Sequence, residues 1–226
     1  MKKIPSLGAH GQTLSGPEKT SYLVLTAMFA LLTLVAATPA KIAQTATASV
    51  ENMITELIRV LDNQELQQPG RSEERRQEIE RIVRQRVNYE EMAKRSLGAS
   101  WSELNERERQ EFVDLFVQLL RDSFAGRINK HSDEHVVFLS EHREEGFAEV
   151  KTRITGSKVD TPVDFRLVNQ FGDWLVYDVV IDSASIVSNY RAQFARIIRD
   201  NSYVGLVTKM KRKAVAVKWF EKTTPQ

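Results

Sequence analysis

From Ser49 onward, apolar residues fall at Val50, Met53, Ile54, Leu57, Ile58 and Leu61, the three-and-four spacing of an amphipathic helix. Ser49 is the expected N-cap, and Gln67-Gln68-Pro69-Gly70 ends the pattern. A second helix starts at Ser72 and has only Ile79, Ile82, Val83 and Val87 as apolar positions. Its glutamates and arginines pair at helical spacing, so the charge run reads as a solvated face. Tyr89 to Leu97 forms a short helix ended by Gly98. Asn105-Glu106-Arg107-Glu108 then forms a capping box for a helix carrying Phe112, Val113, Phe116, Val117, Leu119, Leu120 and Phe124.

Beyond Gly126 the period changes from helical to alternating. HVVFLSEH, FAEVKTRI, TPVDFRLV and DWLVYDVVID are four strand candidates, broken at Glu145-Gly146, Gly156-Ser157 and Phe171-Gly172-Asp173. In the second, Ala148, Val150, Thr152 and Ile154 share a face; in the third, Val163, Phe165 and Leu167 oppose Asp164 and Arg166. Short connections between alternating strands predict an antiparallel meander. The fourth strand is apolar on both sides, so each side should be covered. Ser183 or Ser185 caps a helix that buries Ile186, Val187, Tyr190, Phe194, Ile197 and Ile198, and a last helix runs from about Ser202. The expected fold class is α+β: a four-stranded antiparallel sheet covered by N-terminal and C-terminal helices, within one domain over 49–213. Residues 214–226 form a basic tail.

The only long apolar run, Tyr22 to Ala37, precedes this domain. It has no charge and follows Lys2, Lys3 and Lys19. Small residues come after it, with Ala46-Thr47-Ala48 as an A-x-A site and Ala40 as an earlier one. That order predicts a secretory signal peptide over 1–48, cleaved after Ala48 or Ala40. The competing reading, an uncleaved anchor helix, has a run somewhat short of a membrane span and a poorly placed Pro39. The chain carries 32 basic and 30 acidic residues. Removal of residues 1–48 leaves 28 basic and 29 acidic groups, so the exported domain is near neutral. No global field points to nucleic acid. The absence of cysteine excludes disulfides, thiolate metal sites and a cysteine nucleophile.

Candidate chemistry is sparse. His131-Ser132-Asp133-Glu134-His135 matches H-x-x-E-H, but it lies between a helix and a strand, where both imidazoles would not reach one metal, and His142 would have to be added as a ligand. No metal is expected. No G-x-S-x-G, G-x-x-x-x-G-K-[ST] or G-x-G-x-x-G occurs. Asp178 interrupts an apolar strand on the face of Trp174, Val176 and Val180, where a carboxylate needs a partner. It is either a general base in a cone-shaped α+β enzyme or half of a structural ion pair with Arg191. No catalytic residue can otherwise be named. The C-terminal cations Lys209, Lys211, Arg212, Lys213, Lys218 and Lys222 are a solvated helix end or a contact for anionic headgroups.

Large apolar groups are abundant between the sheet and the helices, and they either fill a solid core or line a cleft. One resemblance bears on the choice. NYEEMAKRSLGASW (88–101), LNERERQEFVDLFVQLL, WLVYDVVIDSASIVSNYRAQFARII (174–198) and Tyr203-x-Gly205-Leu206 together resemble the MlaC / toluene-tolerance phospholipid-binding family, in order, from about Val50 to Lys213. The resemblance implies a periplasmic carrier without catalysis or cofactor, its cargo a glycerophospholipid. Its implied partners are an outer-membrane lipoprotein complex and an inner-membrane MCE-domain ABC transporter, and its implied role is maintenance of outer-membrane lipid asymmetry. A pocket for acyl chains then lies between sheet and helices, with the headgroup near solvent. The expected lining is Phe112, Phe116, Val150, Phe165, Leu167, Val176, Ile186, Val187, Tyr190 and Phe194, each of which also suits ordinary core. An enzyme using Asp178 and a non-lipid periplasmic interaction module are the alternatives.

Overall fold

A computed structural model describes residues 44–124, 135–156 and 160–212. The leader run, most of the H-x-x-E-H motif and the tail beyond Arg212 lie outside the described residues. Helices α1 (Ala46–Leu61), α2 (Ser72–Arg86), α3 (Tyr89–Leu97) and α4 (Glu106–Phe124) come first, with a 3-10 turn, Gly98–Glu103, between α3 and α4. Strands β1 (His135–Glu144), β2 (Phe147–Thr155), β3 (Thr161–Gln170), β4 (Asp173–Ile181) and β5 (Ala184–Ser185) follow, and α5 (Ile186–Lys211) ends the described chain.

Local chemistry sets the ends of these elements. Asn105 and Glu108 form the expected reciprocal box: the Glu108 amide donates to Asn105 Oδ1 and the Asn105 amide to Glu108 Oε2, each at 3.0 Å. Asn88 caps α3 by accepting from the Glu91 amide, and Ser185 caps α5 by accepting from the Ser188 amide. Helix α1 starts four residues earlier than its periodicity predicts, with Thr45 rather than Ser49 as its cap. Ser49 instead donates to the Trp174 carbonyl at 2.8 Å, tying α1 to the sheet. Ser202 interrupts α5 with φ 65 and ψ 172, and its hydroxyl accepts from the Gly205 amide. A Cβ on Gly205 would stand 2.7 Å from the Asn201 Cβ, so this re-entry into helix requires glycine.

The sheet is an antiparallel meander in the order β1-β2-β3-β4-β5. It has five strands rather than four, because Ala184 and Ser185 fold back on Ile181 and Val180 before α5 begins. Three two-residue turns join strands, at Glu145-Gly146, Phe171-Gly172 and Asp182-Ser183, and all six residues have positive φ. Between β3 and β4 the register slips: Arg166 pairs with Asp178 but Leu167 pairs with Val176, leaving Tyr177 without a partner on β3. This bulge exchanges the faces of β4. Val163, Phe165 and Leu167 stand beside Ile181, Val179 and Val176, whereas Arg166 and Asp164 stand beside Asp178 and Val180. Strict alternation put Asp178 with Trp174 and Val176; the extra residue moves it to the other face.

Two apolar clusters result. One is helical and aromatic, built on Phe112, Phe116, Tyr190 and Phe194 with Trp101, Leu119, Leu120 and Leu206. The other lies between the sheet and α1 and α2, where Val50, Met53, Ile79 and Ile82 meet Val150, Phe165, Leu167 and Val176.

Candidate functional site

A cavity of about 530 Å³ opens at the seam of the two clusters. Met92, Leu120 and Ile186 reach it from the helical cluster, and Ile79 and Val176 from the sheet cluster. Val83 and Val87 near the end of α2, Val117 on α4, and Val179 and Ile181 on β4 complete the apolar wall, with Tyr89 beside them. The volume falls within the range typical of small-molecule sites. The bulge in β4 is what brings Val179 and Ile181 to the same face as Val176. Where the bulge leaves the ladder, the Val176 carbonyl accepts from the Asn88 amide at 2.8 Å, pinning the α2–α3 junction against the floor.

The rim is charged. Ser72, Glu73, Arg75, Arg76, Glu80 and Arg121 line the cavity from α2 and α4. Arg121 pairs with Glu80 across the two helices, Arg84 also reaches Glu80 at 3.3 Å, and Arg76 pairs with Glu73. Burial raises the Tyr89 phenol above its ordinary pKa, so this group stays neutral in the wall.

Val176 and Ile186 are the two residues of the expected lining that stand on this wall. The structure places Phe112, Phe116, Tyr190, Phe194 and Val187 in the helical cluster and Val150, Phe165 and Leu167 in the sheet cluster. The four aromatic rings are fully buried and pack edge-on, tilted or stacked, with Phe116–Tyr190 centroids 5.2 Å apart, Tyr190–Phe194 5.4 Å and Phe112–Phe116 6.2 Å. They fill their space. The wall instead uses α2, the helix whose charge run reads as merely solvated. Its sparse, β-branched apolar face was the available signal: so few apolar groups cannot seal a sheet.

Asp178 is not paired with Arg191. Its Oδ2 accepts from Ser185 Oγ at 2.6 Å and from Arg166 Nη1 at 3.3 Å, and its Oδ1 accepts from the Val187 amide at 3.0 Å. The bulge explains the exchange of partner, since it sets Arg166 directly across from Asp178. Arg191 donates from Nε to the Arg95 carbonyl at 2.7 Å, satisfying the C-terminal turn of α3. Asp178 thus anchors the first turn of α5 and is absent from the cavity wall. Among the described residues, no group of three His, Asp or Glu side chains could hold a metal ion, and no helix is long and apolar enough to cross a membrane.

Comparison with known proteins places this geometry. Residues 51–212 match the model of the MlaC protein family. The "Intermembrane phospholipid transport system binding protein MlaC" of Haemophilus influenzae is 23% identical over 134 residues, which cover 57% of this chain and 63% of that protein. The chain thus spans somewhat less than two thirds of that relative's length. A crystal structure of a phospholipid-binding protein from Ralstonia solanacearum, solved with a phospholipid, superposes with a TM-score of 0.69 at 20% identity. That superposition covers 75% of this chain and 97% of the other. With a family match over most of its length and a shared fold, the chain belongs to the MlaC protein family.

Proposed function

We propose that this protein is an exported, non-catalytic carrier that holds phospholipid acyl chains in the seam cavity and moves lipid between membranes. The observation that supports the reading best is an apolar hollow with a charged mouth. Each methylene taken from water into such a wall contributes about 0.8 kcal/mol. A dozen buried methylenes therefore hold the lipid by on the order of 10 kcal/mol, and transfer to a partner is needed for fast release. The receiving and donating partners in this reading are the outer-membrane lipoprotein complex and the inner-membrane MCE-domain ABC transporter of the family's transport system. The compartment is the periplasm. Of the two leader cleavage positions, Ala40 suits the fold. Cleavage after Ala48 would remove the Thr45 cap, the buried Ala46, and Thr47, whose amide and hydroxyl both donate to Glu141.

Organic extraction and mass spectrometry of the mature protein, purified from cells, tests the reading. Stoichiometric phospholipid is the expected result. Val179→Trp, which fills the cavity from β4, should remain folded and lose at least tenfold in bound lipid. An exported protein that carries no lipid, or a folded Val179→Trp that carries as much as the parent, would end this reading.

A further inference from the structure

Below its charged mouth the cavity is walled by aliphatic side chains and Met92, with one exception. Tyr89 carries the one side-chain hydrogen-bond donor of that inner wall among the described residues. Its ring packs against the helical cluster, and its phenol lies within electrostatic reach of Arg84, Glu80 and Arg121. The side chain thus rises from the apolar wall to the level of the mouth. Among the described residues no group hydrogen-bonds to its hydroxyl, although tyrosine hydroxyls in such settings ordinarily find a partner. Arg121 and Arg76, by contrast, are held by Glu80 and Glu73. Burial keeps the phenol protonated and therefore a donor. The backbone fixes its aim. Tyr89 opens α3, directly after Asn88, whose amide donates to the Val176 carbonyl at 2.8 Å and whose Oδ1 accepts from the Glu91 amide. A side chain with two torsions on so anchored a backbone loses little freedom when it binds.

A lipid seated on this wall excludes water from the hydroxyl, so it must bring an acceptor of its own or leave the donor unsatisfied. At the depth where tails give way to headgroup, a glycerophospholipid presents the ester carbonyls that root its chains. These are acceptors that bring no proton of their own. Resting on the lipid-carrier reading, we propose that Tyr89 is a specificity-determining residue whose hydroxyl donates to an ester carbonyl of the bound lipid, selecting ester-linked lipids over ether-linked ones of equal chain length and headgroup. An ether oxygen in the same place is a weaker acceptor, recessed between two carbon chains. The contact also sets depth: a carbonyl held at Tyr89 leaves the chains on Ile79, Leu120, Val176 and Ile186 and the phosphate outside, at the mouth.

The test incubates delipidated mature protein with vesicles of equimolar diacyl and dialkyl phosphatidylethanolamine of the same chain length. The protein is then re-isolated and the bound ratio measured by mass spectrometry. The parent should be enriched in the diacyl lipid about three- to tenfold, the discrimination that one neutral hydrogen bond supplies. Tyr89→Phe keeps the ring in the wall and should bring the ratio to about one. A second measurement needs no variant: in the infrared spectrum of the loaded parent, an ester carbonyl stretch should lie at lower frequency than for the same lipid in an alkane. A parent ratio of one, a ratio unchanged in Tyr89→Phe, or an unshifted carbonyl stretch overturns the assignment and leaves lipid carriage standing. Equal weakening of both lipids in Tyr89→Phe also overturns it, because the hydroxyl would then hold the phosphate that both share. Failure of the parent to load either lipid overturns lipid carriage itself, and the role of Tyr89 with it.

Discussion

The aromatic cluster under α4 and α5 and the cavity beside it are built from adjacent faces of the same helices, yet one is closed and the other hollow. Phe112, Phe116, Tyr190 and Phe194 surround one another with ring centroids 5.2–6.2 Å apart. The Tyr190 hydroxyl also meets Ser123 Oγ at 3.2 Å. Beside them, Val117, Leu120, Val83, Val87 and Val179 face an opening whose wall carries one ring, that of Tyr89. Rings close a core because they are wide and interlock edge to face. Short branched chains on a helix with few apolar positions cannot reach across the same gap. Apolar surplus in a sequence therefore marks the solid part of this protein, and apolar scarcity on α2 marks the hollow part.

Truncation should expose that difference most strongly. Phe116→Ala removes a fully buried ring from an interlocked set and should destabilise by about 3–5 kcal/mol in chemical denaturation. Val83→Ala on the already hollow wall should cost about 1 kcal/mol or less. Equal losses at the two positions would abolish the distinction. Next in size, Asp178→Ala strips partners from Ser185 and the Val187 amide and should cost about 2–3 kcal/mol, while Arg191→Met, which removes a donor to the last turn of α3, should leave Asp178's contacts intact and cost less. A larger loss for Arg191→Met would restore the ion pair expected from sequence. Phe171 offers a stabilising counterpart: its ring is fully exposed at a turn with φ 53, where asparagine is preferred. Phe171→Asn should raise stability by about 0.5–1 kcal/mol without touching either apolar region.

The smallest effect concerns pH and the tie between α1 and β1. Burial works to raise the Glu141 carboxyl, but hydrogen bonds from Thr47 and the Arg143 charge outweigh it and hold the group below its usual 4.5. A carboxyl depressed on folding stabilises the fold above its unfolded pKa, and this contribution disappears as pH falls through the lower folded value. Glu141→Gln should accordingly lower the denaturant midpoint slightly at pH 7 and flatten the further loss of stability below about pH 4.5, where parent and variant converge.

Helices, strand order and most caps were readable because each rests on local chemistry, as at Asn105 with Glu108 and at Ser185. The fifth strand was not, since two residues carry no period. The partner of Asp178 and the β4 cavity face were hidden by a single unpaired residue, Tyr177: periodicity reports alternation but not where alternation slips. The cavity lining was hardest. Val176 and Ile186 were named among ten candidates, while Val83, Val117 and Tyr89 were not, because sequence shows which residues prefer burial and not which buried surfaces fail to meet.

The hydrogen bond from the Asn88 amide to the Val176 carbonyl gives α2 a pivot at one end. A helix of 15 residues is about 22 Å long, so a tilt of roughly 10° about that pivot carries its far tip by about 4 Å. The doorway can widen by the breadth of a hydrocarbon chain while the threshold, fastened to β4, stays in place.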